Sequence, residues 1–133
     1  MCGMPFSKFV LAAVATICCP AILTSCTPTT LAPVQTDVAE AALEAALDSW
    51  KEGKKPDDLN EEKPPIICQD VDWLAGAKLL SYSVQPDPEK KDSTMYAKVK
   101  LSLEAADGKK TEKNVTYMVG TDPKLTVFRA FQP

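Results

Sequence analysis

Few side chains in this chain could carry out chemistry. Its 133 residues include no histidine, five cysteines and a single arginine, Arg129. Histidine is the commonest general base and, with cysteine, the usual ligand of zinc and copper. The carboxylates form no glycine-spaced calcium loop, and no nucleotide-binding or serine-hydrolase motif is present. We therefore predict no catalytic residues, no metal site and no cofactor.

Most of the cysteines lie in the first 26 residues, and Cys68 alone lies in the remainder. Lys8 gives the start of the chain one positive charge, and residues 9–23 are uncharged and almost entirely apolar. That length suits a secretion signal and is short for a membrane-spanning helix, which needs about 20 residues. We expect residues 1–25 to be an export signal rather than a retained membrane anchor.

The predicted signal ends in Leu23-Thr24-Ser25-Cys26, which resembles the bacterial lipobox. In lipobox proteins the cysteine thiol receives a diacylglyceryl group before cleavage, and the new amino terminus is usually acylated as well. The resemblance implies lipidation of Cys26, which would attach the protein to the cell membrane or outer membrane, facing the periplasm or the exterior. The alternative is ordinary cleavage, after which Cys26 and Cys68 could form a disulfide.

The predicted mature chain, residues 26–133, is small and mildly acidic. Loss of Lys8 lowers the net charge from −3 to −4. A nucleic-acid-binding protein usually carries a basic stripe, so we expect no nucleic-acid partner. About a hundred residues suffice for one modest hydrophobic core. We divide the mature chain into a flexible tether over residues 26–36 and a single domain over residues 37–133.

The clearest predicted element is a helix over residues 37–52. Asp37 and Glu40 have the spacing of a capping box, and Gly53 is placed to end the helix. An apolar stripe at helical spacing should face the core, and it comprises Ala39, Leu43, Ala46, Leu47 and Trp50. Acidic residues on the opposite face predict a solvated surface.

Beyond the helix, the pattern changes to strands. Residues 56–65 predict a polar loop, residues 66–73 begin with strand character, and Trp73 is expected in the core. Period-two alternation then predicts strands near residues 78–84, 97–103, 115–119 and 125–131. Asp107-Gly108 predicts a hairpin, and residues 86–93 a charged loop. The simplest assembly is an α+β domain with one N-terminal helix packed on a four-stranded antiparallel meander.

A helix followed by a curled meander resembles the cystatin-like and NTF2-like domains. The resemblance implies a concave inner face that can hold a small ligand. Arg129 shares a predicted strand face with Leu125 and Val127, so it either binds a ligand or pairs with a carboxylate at the rim. Together with Tyr82 and Tyr117, it forms our candidate ligand-binding set.

Two functions follow from these features. The first is a non-catalytic, lipid-anchored module that docks an envelope protein, and the absence of catalytic residues favours it. The second is a small-ligand-binding pocket, with weak acid–base chemistry from Tyr82, Tyr117 or Asp72. A contiguous exposed apolar patch would favour the first, and a concave pocket in which those groups converge would favour the second. Inhibition of proteases lacks support because the glycine and inhibitory loop of cystatins are absent.

Overall fold

The computed structural model describes Gly3 and residues 31–131. The predicted lipidation site Cys26, and the predicted signal peptide apart from Gly3, lie outside these residues. In chain order the elements are α1 (Thr36–Lys51), a short 3₁₀ helix (Pro56–Glu61), β1 (Ile66–Gln69), α2 (Val71–Leu74), β2 (Lys78–Val84), β3 (Glu89–Lys91), β4 (Thr94–Glu104), β5 (Lys110–Gly120) and β6 (Leu125–Arg129).

These elements form an α+β domain in which α1 packs on a curled, mixed sheet that resembles half of a barrel. The strands run in the order β1-β6-β5-β4-β2, and β3 pairs with β4 beyond the end of β2. The pairs β2–β4, β4–β5 and β5–β6 are antiparallel, as the expected meander requires, whereas β1 is parallel to β6.

The expectation of a four-stranded antiparallel meander is therefore wrong, since the sheet has six strands of mixed orientation. The two additional strands are short. β1 pairs with the last strand of the sheet, far away in the sequence, and no local pattern reports such pairing. β3 lies inside the predicted charged loop, and its side chains are all exposed, so it lacks the alternation that marks a half-buried strand.

Helix α1 follows its predicted stripe but not its predicted start. All five stripe residues are buried. The helix begins at Thr36 after Gln35, which makes no side-chain cap, so the capping box expected from Asp37 is absent. At the other end, Gly53 has a φ of +84° and its N–H donates to the carbonyl of Trp50. A left-handed backbone at this position favours glycine, and the predicted end of the helix is confirmed.

Two tryptophans fix the end of α1 to the next segment of the chain. The rings of Trp50 and Trp73 are stacked, with centroids 5.3 Å apart and planes 7° from parallel. Trp50 Nε1 donates to the Ala77 carbonyl at 2.8 Å, and Trp73 Nε1 donates to the Lys54 carbonyl at 2.9 Å. Both indole N–H groups therefore have backbone acceptors, which offsets the cost of burying the two rings.

The strands confirm the predicted alternation in part. On β4, Ala97, Val99, Leu101 and Leu103 are buried, and the Asp107-Gly108 hairpin joins β4 to β5. On β2 the register shifts between Leu79 and Ser81. Leu79 is buried, although the predicted alternation placed it on the solvent-exposed face. β6 ends at Arg129, so Phe131 lies beyond the strand and is 88% exposed.

The segment that precedes α1 lies against the domain. The Ala32 N–H donates to Asp122 Oδ2 at 3.0 Å, the Gln35 N–H donates to Thr121 Oγ1 at 3.2 Å, and the Val34 N–H donates to the Asp92 carbonyl at 3.3 Å. The chain thus enters the domain beside the β5–β6 turn. None of the helices in the described part of the chain is long and apolar enough to cross a membrane.

Candidate functional site

Asp70 is the most deeply buried charged residue at the end of the sheet where β1 and β6 both finish. β1 pairs with β6 up to Gln69 and Phe128, so the next residues, Asp70 and Arg129, lie side by side. Asp70 is only 1% exposed. Its Oδ1 accepts from the N–H groups of Asp72 at 2.9 Å and Trp73 at 3.1 Å, which caps the single turn of α2.

The other carboxylate oxygen of Asp70 faces the sheet. Its Oδ2 accepts from the Tyr117 hydroxyl at 2.6 Å and lies 2.8 Å from Arg129 Nη2. Tyr117 and Arg129 are directly opposed in the β5–β6 register, and the guanidinium lies 5.9 Å from the centre of the Tyr117 ring. One buried carboxylate therefore joins α2 to two neighbouring strands.

Asp72 extends these contacts toward solvent. It accepts from Arg129 Nη1, and its two oxygens lie 2.9 and 3.1 Å from Lys113 Nζ. Asp70, Asp72, Lys113, Tyr117 and Arg129 together form what we call the ion network. Two carboxylates and two cations balance within it, so it carries no net charge to attract a charged ligand.

Within the ion network, two nitrogens of Arg129 lack a hydrogen-bond acceptor. The Arg129 side chain is 10% exposed, and Nη2 is at ion-pair distance from Asp70 Oδ2. The Nη2 and Nε hydrogens nevertheless point at no acceptor within hydrogen-bond geometry. The 2.8 Å between Nη2 and Asp70 Oδ2 still makes an ion pair, because attraction between charges requires proximity and little alignment.

The pKa values of Asp72, Tyr117 and Arg129 are shifted in the directions that keep each group in its ordinary protonation state. Burial raises the pKa of Asp72, but hydrogen bonds from Arg129 and Lys113 outweigh it and hold that pKa below the usual value. Burial lowers the pKa of Arg129, and the bond to Asp72 more than restores it. Burial and the nearby Asp70 charge raise the pKa of Tyr117. A buried tyrosine whose pKa is raised keeps its proton, so its hydrogen bond to Asp70 suits a structural role.

Tyr82 lies outside the ion network. It is on β2, two strands away from Tyr117 in the sheet, and its hydroxyl donates to Asp48 Oδ1 at 2.7 Å. Burial and this hydrogen bond raise the pKa of Tyr82 to about 12. The structure therefore brings together Arg129 and Tyr117 from the predicted ligand-binding set, and gives Tyr82 a separate role in holding α1 to β2.

The space between α1 and the sheet, where the resemblance placed a ligand, is occupied by side chains. Tyr117, Ala97, Val99 and Leu101 are each at most 1% exposed on the inner face. The two tryptophans and the α1 stripe fill the opposite side of the same core. Of the two roles predicted for Arg129, ligand binding or pairing with a carboxylate, the observed contacts agree with pairing. Its carboxylate partners are Asp70 and Asp72.

Cys68 and the carboxylates offer little further chemistry. Burial, and then the charge of Asp70, raise the pKa of the Cys68 thiol to about 12, so the thiol stays protonated. Within residues 31–131 no three carboxylate or thiol groups lie close enough together to hold a metal ion. Sequence reasoning named Asp72 as a candidate for weak acid–base chemistry, and the structure pairs it with Arg129 and Lys113. It did not identify Lys113 on β5, because the partner of Lys113 is Asp72 on α2, far away in the sequence.

A cleft of about 680 Å³ lies on the outer face of the sheet, away from the ion network. Its wall comprises residues 85–88, which connect β2 to β3, and Glu89 at the start of β3. Its floor includes Tyr96, Lys98, Asn114 and Thr116 on β4 and β5. These floor residues alternate with the buried residues of the same strands, which places them on the face opposite to α1. Sequence reasoning missed this cleft because most residues of its wall were predicted only as part of a charged loop.

Comparison with protein-family models, with curated proteins and with solved structures found no match to this chain.

Proposed function

We propose that this chain is a lipid-anchored, non-catalytic interaction module of the bacterial cell envelope, attached through Cys26. The observation that carries the proposal is the lipobox-like Leu23-Thr24-Ser25-Cys26 at the end of an apolar, uncharged segment. Two or more acyl chains on such a cysteine would hold the protein to a bilayer for long times, since each buried methylene contributes about 0.8 kcal/mol.

The entry of the chain into the domain supports a defined orientation on that membrane. Ala32 is hydrogen-bonded to the β5–β6 turn through Asp122. Between Cys26 and Ala32 an extended chain reaches roughly 20 Å. The turn would therefore stay close to the bilayer surface. The ends of β1 and β6, which lie at the opposite end of the sheet, would face away from it.

That distal end carries the exposed apolar side chains that an interaction module needs. Val71 and Leu74 on α2 are 50% and 65% exposed, and Phe131, two residues after β6, is 88% exposed. Both segments follow strands that finish at the same end of the sheet. Exposed apolar side chains mark a protein-binding surface when they lie together as a contiguous patch. We propose that a second envelope protein covers them, and we call these three residues the distal patch.

The ion network supports this role because it holds α2 in place. α2 is only one turn long and would not be stable alone. Asp70 caps it, and Asp72 ties it to Lys113 and Arg129 on the sheet. A rigid α2 presents Val71 and Leu74 without an entropic cost of ordering when a partner binds. The helix on a curled sheet is also compatible with the cystatin-like and NTF2-like arrangement, which by itself specifies no activity.

Intact mass of the membrane-extracted protein tests the anchor. We expect a species that begins at Cys26 and is heavier by two or three acyl chains. The Cys26→Ser variant should lose this modification and leave the membrane fraction. A soluble, unmodified wild-type protein would contradict lipid anchoring and would leave Cys26 free to pair with Cys68.

Site-specific photo-crosslinking in intact cells tests the distal patch. A photoreactive residue at Leu74 should give a discrete crosslinked band that is lost when the protein carries Cys26→Ser. The matched control is the same residue at Leu80, which is 37% exposed on β2 and lies outside the patch. Equal crosslinking at the two positions, or none at Leu74 in a correctly lipidated protein, would contradict an interaction role for the distal patch.

A further inference from the structure

The outer-face cleft is lined by polar side chains that the fold itself does not use. In the part of the chain that the structure describes, the side chains of six lining residues make no hydrogen bond or ion pair, although most of their backbones pair within the sheet: Gln85, Asp87, Glu89, Tyr96, Lys98 and Asn114. The ion network shows the opposite behaviour, because its carboxylates and cations are all paired with each other. The cleft therefore retains the free hydrogen-bonding capacity that a ligand would need.

The shape of the cleft depends on the connection between β2 and β3. Gln85 continues the pairing with β4 through its N–H, which donates to the Lys98 carbonyl at 2.8 Å. The chain then leaves the sheet, turning at Asp87 with a φ of +57° between Pro86 and Pro88. Two prolines restrict the backbone, and aspartate tolerates a left-handed conformation. The wall of the cleft is thus built from residues whose conformations are restricted before any ligand arrives.

The composition of the lining indicates the class of ligand. Asp87 and Glu89 are acceptors and Lys98 is a donor, while the amides of Gln85 and Asn114 do both. The lining carries two carboxylates and one ammonium group, so its net negative charge disfavours binding of an anion. A neutral molecule with many hydroxyl groups can donate to the carboxylates and accept from the ammonium at the same time. Its carbon–hydrogen faces can contact the half-buried ring of Tyr96 and the prolines.

We infer that the outer-face cleft binds a neutral oligosaccharide. The volume of about 680 Å³ lies within the range of small-molecule sites, roughly 300–1,000 Å³. The hydroxyl pairs of the sugar would bridge the wall at Asp87 and Glu89 and the floor at Lys98 and Asn114. This inference does not depend on membrane attachment, because the cleft is formed entirely by the folded domain.

Titration calorimetry on the full chain, in a detergent without a sugar head group, tests the inference. The probes are a neutral trisaccharide of N-acetylglucosamine and a neutral trisaccharide of glucose, each at millimolar concentration, with trilysine as the charged comparison. We expect at least one trisaccharide to bind and trilysine to bind no more tightly. Failure of both trisaccharides to bind, or tighter binding of trilysine, would overturn the inference.

Matched variants locate the binding. Asn114→Ala should raise the Kd for the bound trisaccharide about tenfold, the usual effect of losing a hydrogen bond to a ligand. Glu112→Ala is the control, since Glu112 is also exposed on β5, on the same face, but does not line the cleft. Amide shift mapping of the wild type should show changes near residues 85–89, 96–98 and 114–116. Equal Kd values for the two variants, or shifts confined to other surfaces, would overturn the inference.

Discussion

Arg129 and Asp70 stand beside each other at the finishing ends of two parallel strands, with Nη2 2.8 Å from Oδ2. Asp70 is buried and the Arg129 side chain is only 10% exposed, and neither has a local sequence signal that identifies the other. The contact joins β1, α2 and β6, and through Tyr117 it also joins β5. The same carboxylate therefore caps a helix, accepts from a tyrosine and neutralises the chain's one arginine.

Replacement of Asp70 by alanine should strongly destabilise the domain. Arg129 would lose a buried counter-charge, Tyr117 would lose its acceptor and α2 would lose its cap. Removal of one partner from a buried ion pair costs about 3–5 kcal/mol of unfolding free energy. Urea denaturation measures this loss. As a control, Asp57→Ala removes an exposed acid of the 3₁₀ helix and should change stability by less than about 0.5 kcal/mol. Similar effects of the two changes would contradict a central role for Asp70.

Trp73→Phe should lower the unfolding free energy by about 1–3 kcal/mol. The variant loses the indole N–H donated to the Lys54 carbonyl and part of the stack on Trp50. Thermal or chemical denaturation, followed by circular dichroism, provides the measurement. Leu74→Ala on the same short helix serves as the comparison, because Leu74 is 65% exposed and its loss should leave stability nearly unchanged. A larger loss for Leu74→Ala would show that α2 packs differently.

Stability should fall in acid partly because of Asp72. Its pKa is lowered in the folded protein, so the unfolded chain takes up the proton first as the pH falls. The contribution is fully present above the unfolded value of about 3.9 and is lost as the pH falls through the folded pKa. We expect wild-type stability to decline below about pH 4 more steeply than that of Asp72→Asn, in urea titrations at a series of pH values. Parallel curves for the two proteins would refute the assignment.

Cys68 should be unreactive in the native protein. Burial and the Asp70 charge raise the pKa of its thiol to about 12, so the thiol stays protonated at pH 8. Alkylation by iodoacetamide, followed by peptide mass analysis, should be slow under native conditions and fast in urea. Rapid native labelling of Cys68 would mean that this edge of the sheet opens readily. Cys68→Ser provides the background for the peptide assignment.

Local signals in the sequence were sufficient for several elements. The stripe from Ala39 to Trp50 predicts α1 and its buried face, and Gly53 marks its end. Asp107-Gly108 predicts the hairpin between β4 and β5, because few residues other than glycine adopt the backbone of the turn. Alternation along β4 predicts which side chains face the core. Each of these features is determined by residues within a few positions of each other.

Tertiary structure decided the rest. The parallel pairing of β1, the register shift at Leu79, and the proximity of Asp70 to Arg129 all depend on which distant segments pack together. The sequence by itself determined an α+β domain, its helix, its antiparallel strands and its mild acidity. It also singled out Arg129, but only the folded structure shows that this arginine is paired with Asp70 and Asp72. The polar side chains without partners lie on the opposite face of the sheet. A side chain's partners are set by long-range packing, which local periodicity does not encode.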